Sequence, residues 1–140
     1  EPTFSADGKT IYFTSDRGGS PQIYQVPTDA SKAPERISFT GTFNARPMAS
    51  PDGKLLAFVA RRDGKFVIGV RRLDTGEERL VSSGPKDDSP SFAPNSRWIM
   101  FSSRINGRDT LSAVSVDGRV RTRISLDTAG IRNPAWGRMP

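Results

Sequence analysis

The stretch Ser50-Pro51-Asp52-Gly53-Lys54 recurs in phase along the chain, and no other feature restricts the fold as much. It returns as Ser5-Ala6-Asp7-Gly8-Lys9 and, in weaker form, as Ala93-Pro94-Asn95-Ser96-Arg97. Asp7 and Asp52 lie 45 residues apart, and Asn95 follows 43 residues later. A proline stands three residues before each copy, at Pro2, Pro47 and Pro90, and a short apolar run follows each. A fixed period of this size is the mark of a repeat architecture, in which each copy is one supersecondary unit.

The units align beyond the motif. Ile11, Leu56 and Ile99 fall together, as do Phe13, Phe58 and Phe101, then Ile23, Ile68 and Leu111. Asp29, Asp74 and Asp117 mark a shared later turn. In the first unit, residues 10–15 form a β-branched and aromatic run with no helical period, which reads as a strand buried on both faces or nearly so. Residues 22–26 alternate as a second strand, and residues 35–38 suit a short polar outer edge. The second and third units repeat the plan, and a fourth begins at Asn133-Pro134-Ala135-Trp136. Four short antiparallel strands, A to D, in roughly 44 residues per unit are expected of a β-propeller blade.

The expected fold is all-β: blades at residues 1–46, 47–89 and 90–132, followed by an extra innermost-type strand at 133–137. Asp-Gly supplies the positive φ that a tight A–B hairpin needs, and the preceding proline fixes φ and withholds a ladder donor. The motif therefore reads as a turn, with its lysine or arginine at the turn exit. Phe4, Phe92 and Trp136 on strand A are expected in the core between blades.

Composition narrows function by exclusion. The 140 residues contain no cysteine and no histidine, which removes disulfides, Cys-based zinc sites and the commonest general base. There is no Gly-x-Ser-x-Gly and no phosphate-binding glycine loop, so no catalytic residue is assigned. No apolar run approaches the roughly 20 residues that span a bilayer, so no membrane span is expected. No signal peptide is present, but the first residues already lie inside a repeat copy, so the chain reads as cut from something longer. Net charge is +6, yet the aromatics sit in buried strand phases and no Lys/Arg block is dense enough to track a nucleic-acid backbone. Arg119, Arg121 and Arg123 alternate, which suits the solvated face of an outer strand.

These residues resemble the propeller of the TolB family, the periplasmic components of the Tol–Pal system of Gram-negative bacteria. The resemblance is carried by residues 2–9 (PTFSADGK), 11–19 (IYFTSDRGG), 22–24 (QIY), 87–94 (DDSPSFAP), 115–119 (SVDGR) and 133–136 (NPAW). It covers the whole chain and implies the C-terminal half of a six-bladed ring, without the smaller N-terminal α/β domain. The segment engaging TolA is expected in that absent part. Ala6, Ala30 and the pair Asn95-Ser96 depart from the family's turn residues.

The resemblance further implies a non-catalytic interaction scaffold whose propeller mouth binds the peptidoglycan-associated lipoprotein Pal, with colicin segments competing there. The candidate surface is then the loops at residues 40–46, 83–89 and 127–133, with 16–21, 61–65 and 104–108 beside them. Within them Asp87 and Asp88 are the first candidates, as adjacent carboxylates that accept backbone or Arg donors. Lys86, Asn44, Arg46 and Arg17 complete the set. Two carboxylates alone do not make a calcium site, and no metal or cofactor is expected. Three blades do not close a ring, so the expectation is either self-association of half-propellers through open apolar faces or a piece of a larger assembly. The alternative is the gating propeller of a prolyl-oligopeptidase-type serine peptidase, which is expected to run on into a hydrolase domain where this chain stops at Pro140.

Overall fold

The computed structural model describes residues 2–124, arranged as three four-stranded antiparallel sheets. The first holds β1 (Thr3–Phe4), β2 (Thr10–Ser15), β3 (Gln22–Pro27) and β4 (Glu35–Arg36). The second holds β5 (Asn44–Ala49), β6 (Leu55–Arg62), β7 (Lys65–Arg72) and β8 (Glu78–Leu80). The third holds β9 (Asp88–Phe92), β10 (Trp98–Ile105), β11 (Arg108–Ser115) and β12 (Arg121–Ile124). In each, spatial order follows chain order, so every connection within a blade is a hairpin. There is no helix among the described residues. The fourth copy at 133–137, with Trp136, lies outside them.

The repeat motif is the A–B hairpin turn. Phe4 pairs with Ile11, Ala49 with Leu56 and Phe92 with Ile99, so the three copies share one register. Gly53 takes φ 77°, and Ser96 holds the same place at 62° despite its side chain. The acid caps the turn: Lys9 N donates to Asp7 Oδ1 and Lys54 N to Asp52 Oδ1, each at 3.0 Å, and Asn95 Oδ1 does the same for Arg97 N. The Ser5 hydroxyl and the Lys9 amide hold the Asp7 carboxyl below its ordinary range. Asp52 N donates to Ser96 Oγ at 3.0 Å, a bond that joins the second blade to the third.

Side chains alternate across a strand, so each sheet offers one face to each neighbour. On β6, Leu56, Phe58 and Ala60 pack with Tyr12, Ile23 and Ile37 of the first blade. The intervening Ala57 and Val59 pack with Phe92, Ile99, Phe101 and Val114 of the third. Five consecutive β6 residues, 56 to 60, are buried for this reason. Fully burying one such aliphatic or aromatic side chain contributes about 1.5–3 kcal/mol.

Among the described residues each outer sheet has one covered face. On β2 only Tyr12 is buried, which corrects the expectation that residues 10–15 are covered on both sides. The neighbouring sheet covers the Tyr12 side alone. Phe92 is core as expected, whereas Phe4 is 61% exposed, because its β1 face has no sheet against it among the described residues.

One pairing differs between copies. Phe13 lies opposite Tyr24 and Phe101 opposite Ser112, but Phe58 lies opposite Gly69. The Phe58 ring occupies the space a side chain would take, with its Cζ 2.5 Å from where a Cβ on Gly69 would stand. Gly69→Ala is therefore expected to destabilise the fold by about 1–3 kcal/mol through overpacking. A urea melt would show it as a lower midpoint with unchanged slope. A midpoint equal to wild type would mean that Phe58 has room to move.

Candidate functional site

The face opposite the Asp-Gly turns is built by the B–C hairpins and the D-to-A connections. Asp63-Gly64 and Asn106-Gly107 both take positive φ, so these hairpins close in two residues. Tight closure pairs Ile105 with Arg108 and Arg104 with Asp109, placing charged side chains at the tip of the third blade.

The D-to-A connections are held from inside by a repeated polar device. In the first, Ser38 Oγ accepts from Ile23 N at 2.8 Å and donates to Gln22 Oε1 at 2.6 Å. Asn44 Nδ2 donates to Gln22 Oε1 at 2.9 Å and to the Thr40 carbonyl at 2.8 Å. In the second, Ser82 Oγ accepts from Ile68 N at 2.7 Å and donates to Asp87 Oδ2 at 2.5 Å. Gly84 N donates to the same oxygen at 2.7 Å. Asn44 and Asp87 occupy the same place in the repeat, three residues before Pro47 and Pro90. Both are buried, at 1% and 2% exposure. The expectation that these two side chains face a partner is corrected: each is consumed in anchoring its own loop.

Next to them the inner strands bulge. The β5–β6 register shifts between Ala45 and Met48, and the β9–β10 register shifts between Met100 and Ser102. Arg46 (φ 55°) and Ser89 (φ 53°) take the left-handed conformation at these points, each directly before a proline. A bulge of this kind re-aims a side chain away from the ladder. Arg46 N is fixed by Thr14 Oγ1 of the first blade at 3.0 Å. Its Nη1 crosses to the next inner strand and donates to Asp88 Oδ1 and Oδ2 at 3.1 and 3.0 Å. The two side chains are 57% and 42% exposed.

Beneath this pair lies a cleft of about 320 Å³ between the second and third blades. Arg46, Lys86, Asp88, Ser102, Arg104 and Asp109 contribute to its walls. Three of the sequence-level candidates, Arg46, Lys86 and Asp88, thus meet there. Arg17 does not: its guanidinium lies 5.4 and 5.1 Å from the Phe13 and Tyr24 ring centres, on the far side of the first blade. Arg104 and Asp109 were missed as individual candidates, although the Asn106-Gly107 turn is the signal that places them opposite each other. Among the described residues no group of three or more acidic, His or Cys side chains could hold a metal ion.

Against known proteins, the family model for the TolB beta propeller domain matches residues 1–140. The Tol-Pal system protein TolB of Bordetella pertussis is 49% identical over 98% of this chain and 31% of that protein. The TolB of Nitrosospira multiformis is 50% identical over 81% of this chain and 26% of that protein. The chain belongs to the TolB β-propeller family. It spans about a third or less of the length of these relatives. The crystal structure of TolB from Acinetobacter baumannii superposes with a TM-score of 0.89 at 39% identity, over 97% of this chain and 34% of that one. The propeller domain of the Trilobed protease from Pyrococcus furiosus has a TM-score of 0.66 at 14% identity, a likeness of fold alone.

Burial pushes the Asp87 carboxyl above its ordinary pKa, against the opposing pull of the Ser82 hydroxyl, the Gly84 amide and the Arg121 charge. A carboxyl whose folded pKa is raised adds stability below its unfolded pKa and loses it as pH rises through the folded value. Asp87→Asn keeps one oxygen to accept from Ser82 Oγ and Gly84 N, and it is the residue found at the equivalent position 44, where the amide donates instead. It is expected to be at least as stable as wild type at pH 7, with the difference shrinking as pH falls through the carboxyl range. Asp87→Ala strands the Ser82 and Gly84 donors and is expected to cost about 1–3 kcal/mol. Chemical denaturation from pH 4 to pH 8 tests this. A strongly destabilised Asp87→Asn at pH 7 would show that the ionised form is required.

Proposed function

We propose that this chain forms the docking part of a non-catalytic scaffold of the Tol–Pal system, binding the peptidoglycan-associated lipoprotein Pal through the loop face that carries the inter-blade cleft. The carrying observation is that exposed, ionic side chains from two adjacent inner strands converge there, on a backbone fixed by bulges and buried anchors. Loop clusters positioned by a rigid sheet scaffold are the usual place for recognition. On the opposite face, among the described residues, the A–B turns carry Asp7 and Asp52, which are taken up in capping.

On this reading the protein works in the periplasm, contributes to outer-membrane integrity and cell division, and meets colicin segments at the same face. Contact with TolA falls to regions of the relatives outside the part this chain matches. The peptidase alternative has in its favour only a shared fold at 14% identity, against 49% to a TolB.

Titration of a Pal globular domain into the 140-residue chain tests the reading face by face. Alanine at Arg46 and Lys86 together is expected to weaken binding tenfold or more, about 1.4 kcal/mol. Alanine at Lys9 and Lys54, exposed on the opposite turns, is expected to leave affinity unchanged. Equal losses from both faces, or no complex with a chain shown to be folded, would sink the proposal.

A further inference from the structure

The charges of the cleft are unevenly satisfied. Among the described residues its walls present three cations, Arg46, Lys86 and Arg104, against two carboxylates, Asp88 and Asp109. Asp88 sits on Arg46 at 3.0 Å, and Asp109 faces Arg104 at 3.9 Å. Lys86 has no carboxylate within ion-pair distance among the described residues. What the cleft still offers is therefore positive charge.

Arg46 is the best-prepared donor. Its backbone is set by the left-handed bulge, by the bond to Thr14 and by Pro47. Only Nη1 is engaged by Asp88; Nε and Nη2 make no hydrogen bond to a described residue. A guanidinium recognises a carboxylate best through two parallel N–H donors, and that edge is open. Asp88, for its part, keeps a second partner, because Ser89 N donates to its Oδ1 at 2.7 Å. An exposed pair of this kind is weak and readily exchanged.

We propose that the cleft between the second and third blades takes a carboxylate of an acidic peptide segment, seated on Arg46 between Lys86 and Arg104, with Asp88 as a built-in competitor for the same guanidinium. This rests on the loop face being the docking face and names the partner chemistry it selects. Asp88 holds Arg46 in place while the site is empty and yields it when a better-placed carboxylate arrives. Discrimination follows, because a neutral or basic segment gains nothing from displacing Asp88.

Fluorescence anisotropy with labelled hexaglutamate, and hexalysine as the opposite-sign probe, tests this on the 140-residue chain at low and moderate salt. Asp88→Asn keeps the side-chain shape and an acceptor for Ser89 N while removing the competing charge. It is expected to tighten hexaglutamate binding about three- to tenfold. Arg46→Ala is expected to weaken it by at least as much, and Lys54→Ala, one charge lost on the opposite face, to change it little. Weaker or unchanged binding by Asp88→Asn overturns the proposal, as does tighter binding of hexalysine than of hexaglutamate. An equal loss from Lys54→Ala also overturns it, by showing general charge attraction. A Pal domain that binds while Asp88→Asn has no effect on either ligand overturns the carboxylate site and leaves the docking face standing. Tightened hexaglutamate binding without a Pal complex supports the site and overturns the partner.

Discussion

The packing of the middle sheet between its two neighbours is the constraint on which the rest depends. Each blade alone is a short antiparallel sheet with two faces to cover, and no disulfide is available to brace it. β6 solves this for the centre by sending Leu56, Phe58 and Ala60 one way and Ala57 and Val59 the other. The mouth inherits its geometry from that stack. Arg46 and Asp88 meet only because the inner strands β5 and β9 are held side by side by the core beneath them.

The repeat is conservative in its frame and inventive in its fillings. Ser38 and Ser82 accept from equivalent backbone donors, Ile23 N and Ile68 N on the third strands of their blades, yet one hydroxyl donates to Gln22 and the other to Asp87. Asn44 and Asp87 anchor their loops with opposite roles: Asn44 donates to the Gln22 oxygen that also accepts from Ser38, whereas Asp87 itself accepts from Ser82. The bulge shows the same economy of plan. It recurs before Pro47 and Pro90, but carries Arg46 in one copy and Ser89 in the other, so among the described residues the cationic tip appears once.

Much of this was legible in the sequence. The period, the strand order, the hairpin role of Asp52-Gly53 and the shared positions of Ile11, Leu56 and Ile99 follow from local pattern, which fixes turns and alternation. Burial on both faces was expected of residues 10–15 and holds only for the middle blade. Strand propensity reads alike for residues 10–15 and 55–60, while coverage depends on what lies beside the sheet. The candidate site was legible as a set of loops but not residue by residue. Asp87 and Asp88 are adjacent and chemically identical, yet one turns inward to Ser82 and the other outward to Arg46. Strand pleat and the bulge decide that, and neither leaves a mark in composition. Gly69 gave no warning of the Phe58 ring above it, because the pairing is visible only once register is known.

The bond from Asp52 N to Ser96 Oγ bears on how freely such repeats can be shuffled. The third copy lacks the glycine of the other two, and taken alone Ser96 is a poor choice for a left-handed turn. Across the seam, its hydroxyl is the acceptor for a backbone donor in the preceding copy's own turn. A glycine there would ease the hairpin and leave the neighbour's amide without that partner. The blades are therefore not interchangeable parts of a modular ring. The third is cut to the second, and an exchange of the first and third copies would break a joint that neither the second nor the third contains alone.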